Sequence, residues 1–331
     1  MSSSYHGENT RKRPRTEIHV LGAEPPDATT HDQKHWYSDG SIVLRIESTL
    51  FRVHKTILAV SSEVFKDMLS VPQPEGQEDL QGCIVVGLHG DSVESWRHLL
   101  DALYDAPYFA SMHSAPLHPA LPILSGILRL ATKYRFLGYR RECLGILGRH
   151  FPTYYDDIPI LIADASDAAA VINLARETDA HCLLPFAFLA CVYPVDDRNR
   201  PLIYGDLLPS FRDKAAALQG LHALAAAQKL HMFPFAYDTP DITITSCRRR
   251  CTTEVAFKDI TKYSEQPMYF DFEDPGRWTE PEGRDLLCRD CLEYVKRVYS
   301  QGRRQVWKHL PEFFCVGKDW DELIRLQNYG N

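Results

Sequence analysis

The hydrophobic and polar positions fall into blocks of different period. In "SIVLRI", apolar Ile42, Leu44 and Ile46 alternate with other residues, the pattern of a half-buried strand. After a polar Glu47-Ser48-Thr49 turn, "TLFRV" places Phe51 and Val53 on the same inward face, so the two runs read as a hairpin. The period then changes. Val53, Ile57, Val60, Val64 and Met68 recur every three or four positions, with Ser61 or Ser62 able to cap a second helix and Pro72 and Pro74 to stop it. "CIVVGL", residues 83–88, is a short and nearly continuous apolar run, read as a strand buried on both sides.

Helices follow. Asp91 with Glu94 forms a capping-box variant ahead of "SVESWRHLLDALYD", whose inward face is Val93, Trp96, Leu99, Leu100 and Leu103. A loop rich in Pro and His separates this from two helices, around 121–135 and 139–148, hinged at Gly138. A hairpin, a helix pair, a strand and then helices make an α+β unit in which helices gather against a small sheet.

Farther along, "DAAAVINLARETDAHCLLPFAFLACVY" predicts two helices, the second apolar throughout and buried. "FRDKAAALQGLHALAAAQKLHMF" carries Leu218, Leu221, Leu224 and Ala225 at helical spacing. Residues 151–331 therefore read as a mostly α-helical region, with no repeat of 20 to 50 residues to suggest a solenoid or propeller. Residues 1–30 show no hydrophobic period. Such a segment buries too little to offset its ordering entropy, and a disordered tail is expected, followed by domains at 31–150 and 151–331.

Composition narrows the class without naming a function. Hydrophobic residues make up 44% of the 331 and charged ones 24%, as in ordinary globular proteins. The net charge of −7 argues against a chain-wide nucleic-acid surface. The N-terminus lacks the apolar core of a secretory signal, and no run is long enough to span a membrane. With nine cysteines and no such signal, reduced thiols or metal ligands are expected rather than disulfides, and the location is cytoplasm, nucleus or both. "RKRPR", Arg11 to Arg15, reads either as a nuclear import signal or as a solvated basic tail.

Taken in order, Asp39-Gly40, Phe51, His54, Lys55, Leu58, Ala59, Ser62, Phe65 and Met68 resemble the core signature of the BTB/POZ domain, and "LLDALYD" and "LRLATKYRF" resemble its following helical segments. The resemblance covers 39–148 and implies the BTB/POZ fold. It implies a non-enzymatic protein-interaction module, commonly a homodimer, with Phe51, Leu58, Phe65 and Met68 as core. It also implies that Asp39 and His54, beside Lys55, lie close together in a small charged pocket at the dimer interface, where Asp39 holds His54 by a charge-assisted hydrogen bond. Many such proteins deliver substrates to a cullin-scaffolded ubiquitin ligase through a hydrophobic-x-acidic segment after the helix ending near Met68. "LSVPQPEGQEDLQG" carries no clean match to it. The tail "RRQVWKHLPEFFCVGKDWDELIRL" resembles the end of a large fungal group of BTB-domain proteins, with Trp307, Phe313 and Trp320 as packing anchors.

Two chemical features remain. Cys247 and Cys251 form C-x₃-C and Cys288 and Cys291 form C-x₂-C, the donor set of a structural zinc site with no open position for catalysis. Against zinc stand the long stretch 252–287 between the pairs and the frequency of plain buried cysteines. "CRRRC" and "GRRQVWK" are basic clusters that suit either phosphate contact or solvated surface charge, and the acidic "DFEDPGRWTEPEGRD" beside them favours the second. No phosphate-binding loop, dinucleotide fingerprint, nucleophile elbow or H-E-x-x-H motif is present. The reading is an interaction protein that pairs with itself and with other proteins. The alternatives are a cullin-ligase substrate adaptor and a nuclear transcription-related regulator.

Overall fold

The computed structural model describes residues 29–71, 76, 78–158, 163–192, 207–237 and 288–329. A five-stranded sheet is built from β1 (Thr30–Trp36), β2 (Ile42–Ile46), β3 (Thr49–Val53), β4 (Asp79–Leu80) and β5 (Cys83–Leu88), in the order β1-β3-β2-β5-β4. The β2–β3 hairpin pairs Ile42 with Val53 and Ile46 with Thr49, while β2 runs parallel to β5 and β1 parallel to β3. Thr30, expected to close the tail, instead begins β1; residues 1–28, including "RKRPR", lie outside the described residues.

The strand β2 is not half-buried. Ile42, Leu44 and Ile46 face the helices, but Val43 on the opposite face is also fully buried, against Leu50, Cys83 and Val85 under Trp36 and Leu80. β1 and β4 supply that cover, and neither showed a usable period in the sequence. β5 reads the other way: Ile84 and Val86 are only partly buried, so the run is less enclosed than its composition suggested.

Helix α1 (Lys55–Ser61) and helix α2 (Glu63–Ser70) are separated by Ser62, whose extended backbone (φ −131°, ψ 126°) resets the helical phase. The expected stripe through Val60 therefore fails. Leu58 and Phe65 point inward, Met68 packs partly against the core, and Val60 stands 89% exposed. Ser62 does cap α2, its hydroxyl accepting from Phe65 N at 3.1 Å.

In α3 (Val93–Tyr104) the cap is Ser92, which accepts from Ser95 N at 3.1 Å, and not Asp91. Asp91 is turned inward, where it accepts from Trp96 Nε1 (3.1 Å), the Tyr134 hydroxyl and Lys133 Nζ (2.6 Å). Helices α4 (Leu117–Lys133) and α5 (Leu137–His150) meet at Tyr134–Phe136, so Gly138 is inside α5 and is no hinge. Arg135 takes the left-handed conformation there (φ 54°), and Phe136 N closes back on Ala131 O at 2.9 Å, ending α4 as a Schellman motif does.

The rest is helical: α6 (Ala165–Glu177), α7 (Leu184–Val192), α8 (Phe211–Ala227), a π turn (Gln228–Met232), α9 (Pro234–Tyr237), α10 (Arg289–Lys308), α11 (Leu310–Phe313) and α12 (Trp320–Tyr329). Every residue of α7 is buried, as its composition implied. The inward face of α8 is Ala216, Ala217, Gly220 and Leu224, with Leu218 exposed. Small residues decide that face because the neighbours come close: a Cβ on Gly220 would lie 2.0 Å from the Phe314 ring, and one on Gly302 of α10 would lie 2.1 Å from His231 O. Trp307 and Trp320 are buried and stack at 5.1 Å, with Trp320 Nε1 donating to Trp307 O. Phe313 is only partly buried; its neighbour Phe314 is the anchor, stacked on Phe188 at 5.3 Å.

One hydrophobic cluster runs from Ile42 in the sheet to Leu323 in α12, with α4 packed on α6. The fold is α+β overall, a small sheet with clustered helices followed by a mostly helical region. Among the described residues, no helix is long and apolar enough to cross a membrane.

Candidate functional site

The N-terminus of α1 needs partners for its free N–H groups, and His54, its N-cap residue, supplies no side-chain cap. Other elements do so. Ser41 Oγ accepts from Lys55 N at 3.1 Å, and the Tyr104 hydroxyl accepts from His54 N at 3.1 Å. The same hydroxyl lies 2.8 Å from His54 Nδ1, and Asp39 Oδ2 lies 3.3 Å from Nε2. A ring that takes the Tyr104 proton on Nδ1 carries its own hydrogen on Nε2, facing Asp39, so both nitrogens are engaged. His54 holds the Asp39 carboxyl below the usual carboxylate range, although Asp39 itself is exposed. Lys55 is exposed and its side chain joins neither. The structure thus brings together Asp39 and His54, and leaves Lys55 outside the pair.

Tyr104 belongs to a stripe of α3 facing β1. Arg97, Asp101 and Tyr104 sit four and three positions apart, which puts them on one helix face. Asp101 Oδ1 lies 2.7 Å from both Lys34 Nζ and His35 Nε2, and His35 is 1% exposed. Asp32 Oδ1 accepts from His35 N (2.9 Å) and Lys34 N (3.1 Å), while Oδ2 accepts from Arg97 Nε at 2.8 Å. Burial pushes the Asp32 carboxyl up, but Arg97 and the two backbone N–H groups outweigh it and hold it below its ordinary value. Tyr37 stacks on Tyr104 at 4.6 Å and tilts over His54 at 5.3 Å. Burial raises the pKa of both tyrosines, keeping both hydroxyls protonated.

Sequence reasoning missed Asp32, His35, Tyr37, Arg97, Asp101 and Tyr104. The polar stripe at 97, 101 and 104 beside an apolar one was the signal available. The arrangement can orient side chains and bind a polar partner; a tyrosine and a carboxylate on the two nitrogens give His54 an architectural task.

The remaining expected sites fare differently. Cys247, Cys251 and "CRRRC" lie outside the described residues, while Cys288 stands at the N-cap position of α10 without a side-chain cap bond and Cys291 is buried one turn on. In "GRRQVWK", Arg304 bonds Asp156 at 2.9 Å and lies over the Tyr155 ring, and Arg303 also lies over Tyr155, so both brace α10 against the 155–156 turn. Among the described residues, His118, Asp164 and Asp167 have ligand atoms within 4.8 Å of one another. Asp164 caps α6 through Asp167 N and Asp167 pairs with His118 at 3.0 Å, which accounts for the cluster. The segment after Met68 is described only in part, as 72–75 and 77 lie outside.

Residues 31–149 match the BTB/POZ domain family. The match begins one residue into β1 and ends within the last turn of α5. No curated protein matches the chain. BTB/POZ domains generally mediate protein–protein interaction, are generally non-enzymatic, and occur in cullin adaptors and transcription regulators.

Proposed function

We propose that this protein pairs with itself through the α1–α2 face of its BTB/POZ domain and in that form docks other proteins. The observation carrying this reading is the outward face of α1 and of the turn after α2, where Val60 is 89% and Val71 61% exposed, with the Asp39–His54 pair at the N-terminus of α1. Apolar side chains in such places gain from being covered, and the polar pair fixes the registry of what covers them. A stable pair of this kind buries roughly 1,500 Å² or more in total. The pairing needs no covalent step: apolar area is removed from water around a polar rim.

Because the core continues from the sheet into the C-terminal helices, the test uses the whole chain. Sedimentation velocity across a concentration series is expected to give a dimer at tens of micromolar. The Val60→Glu protein is expected to sediment as a monomer with an unchanged melting temperature. A wild-type chain that stays monomeric throughout the series overturns the reading.

A further inference from the structure

An open cavity of about 590 Å³ is walled by Ser125 and Arg129 of α4, Ala170, Arg176 and Glu177 of α6, and Arg212 and Asp213 at the start of α8. Its guanidinium groups stand out in a chain of net charge −7. Two are balanced: Arg129 Nε bonds Glu177 Oε2 at 2.6 Å, and Arg176 bonds the buried Asp213 Oδ1 through Nε and Nη2 at 3.1 and 2.8 Å. Arg212 is exposed and makes no ion pair among the described residues, so the wall keeps one cation uncompensated by them. Most N–H donors of Arg129 and Arg176, and all of Arg212's, are left over by these bonds.

A further cation, Arg140, acts on the same neighbour, His181, as Arg176 and Arg212. Arg140 is 2% exposed; among the described residues its hydrogen-bond partner is Thr132 Oγ1 at 2.9 Å, its buried Nε has none, and Asp179 supplies a counter-charge. The field of the group is felt by a neighbour: burial lowers the pKa of His181, Asp179 opposes this, and Arg176, Arg140 and Arg212 push it down further. Cations gathered on one wall repel one another, and an incoming anion relieves that repulsion.

We propose that this cavity is a binding site for a phosphate monoester, held chiefly by Arg212 and by the spare donors of Arg129 and Arg176. Planar guanidinium forks match the three terminal oxygens of a dianionic phosphate monoester, and a carboxylate presents fewer acceptors to them. The site lies between α4 of the BTB/POZ domain and α6 and α8 of the helical region, away from the α1–α2 face, and does not depend on self-association.

Calorimetric titrations of the full chain with inorganic phosphate, a phosphoserine peptide and glycerol phosphate test the site and its source of ligand. Binding of phosphate is expected, with one of the two monoesters binding more tightly; the peptide identifies a modified partner protein and glycerol phosphate a metabolite. Arg212→Glu is expected to weaken all three by about tenfold or more. Because Arg212 is exposed, its melting temperature should not move. Ala170→Glu, which puts an acid into the wall from another exposed position, is expected to do the same. Absence of phosphate binding, binding indifferent to both substitutions, or monoesters no tighter than phosphate itself overturns the proposal.

Discussion

The two halves of this molecule solve packing by different means. In the BTB/POZ half, large apolar side chains such as Phe51, Phe65 and Trp96 fill the space between sheet and helices, and buried carboxylates tie the elements together: Asp91 joins α3 to the α4–α5 turn, Asp32 joins β1 to α3. In the helical half the elements approach through alanine and glycine, and aromatic rings are pressed against bare backbone, Phe314 on Gly220 above all. The first half should therefore be sensitive to lost hydrogen bonds and the second to added volume. Buried polar groups and close packing fail in different ways, which makes the contrast measurable.

The largest effect is expected in the helical half. Gly302→Ala sets a methyl group against His231 O, a backbone atom that cannot turn aside, and is expected to cost more than about 4 kcal/mol in chemical denaturation. Gly126→Ala in α4 sharpens the point: its nearest atom is the Ser95 hydroxyl at 2.6 Å, a side chain that can rotate, so the loss should stay below about 2 kcal/mol. Equal losses at the two glycines break the comparison.

Next comes Asp91→Ala, which strips partners from Trp96, Tyr134 and Lys133 and is expected to cost about 3 kcal/mol by urea unfolding. Asp32→Asn follows at about 2 kcal/mol, with a pH signature. Its folded pKa lies below the ordinary value of 3.8, so its contribution is present at pH values above that and is lost as pH falls through the folded pKa. The gap between wild type and Asp32→Asn should be full at neutral pH and close on acidification below roughly pH 4. Smallest is Tyr104→Phe, which removes the hydroxyl shared by His54 N and Nδ1, at about 1 kcal/mol.

The same contrast governs what could be read from the sequence. Alternation in "SIVLRI" and "TLFRV" specified the hairpin because one strand face had to meet the core, and Phe51 followed from it; Leu58 and Phe65 came from the family resemblance. β1 escaped because "THDQKHW" is polar; its role is to bring Asp32 and His35 to α3, a long-range electrostatic fit with no local period. Val60 was misplaced because a helical period was carried through Ser62, whose extended backbone breaks it. In α8 the large residues were taken as the core face, but where helices nearly touch, the core face is the small one, and Leu218 is left outside. Of the charged pocket, the Asp39–His54 contact was legible from resemblance; Tyr104, which engages His54 at two atoms, needed the fold.

Hydrogen–deuterium exchange of the full chain at two concentrations tests the docking face most directly. The account predicts that amides of residues 55–71 exchange more slowly in concentrated than in dilute protein, that this difference vanishes in Val60→Glu, and that α10 is indifferent to dilution. Exchange in 55–71 that does not depend on concentration, in a chain that nonetheless associates, would place the contact elsewhere and contradict it.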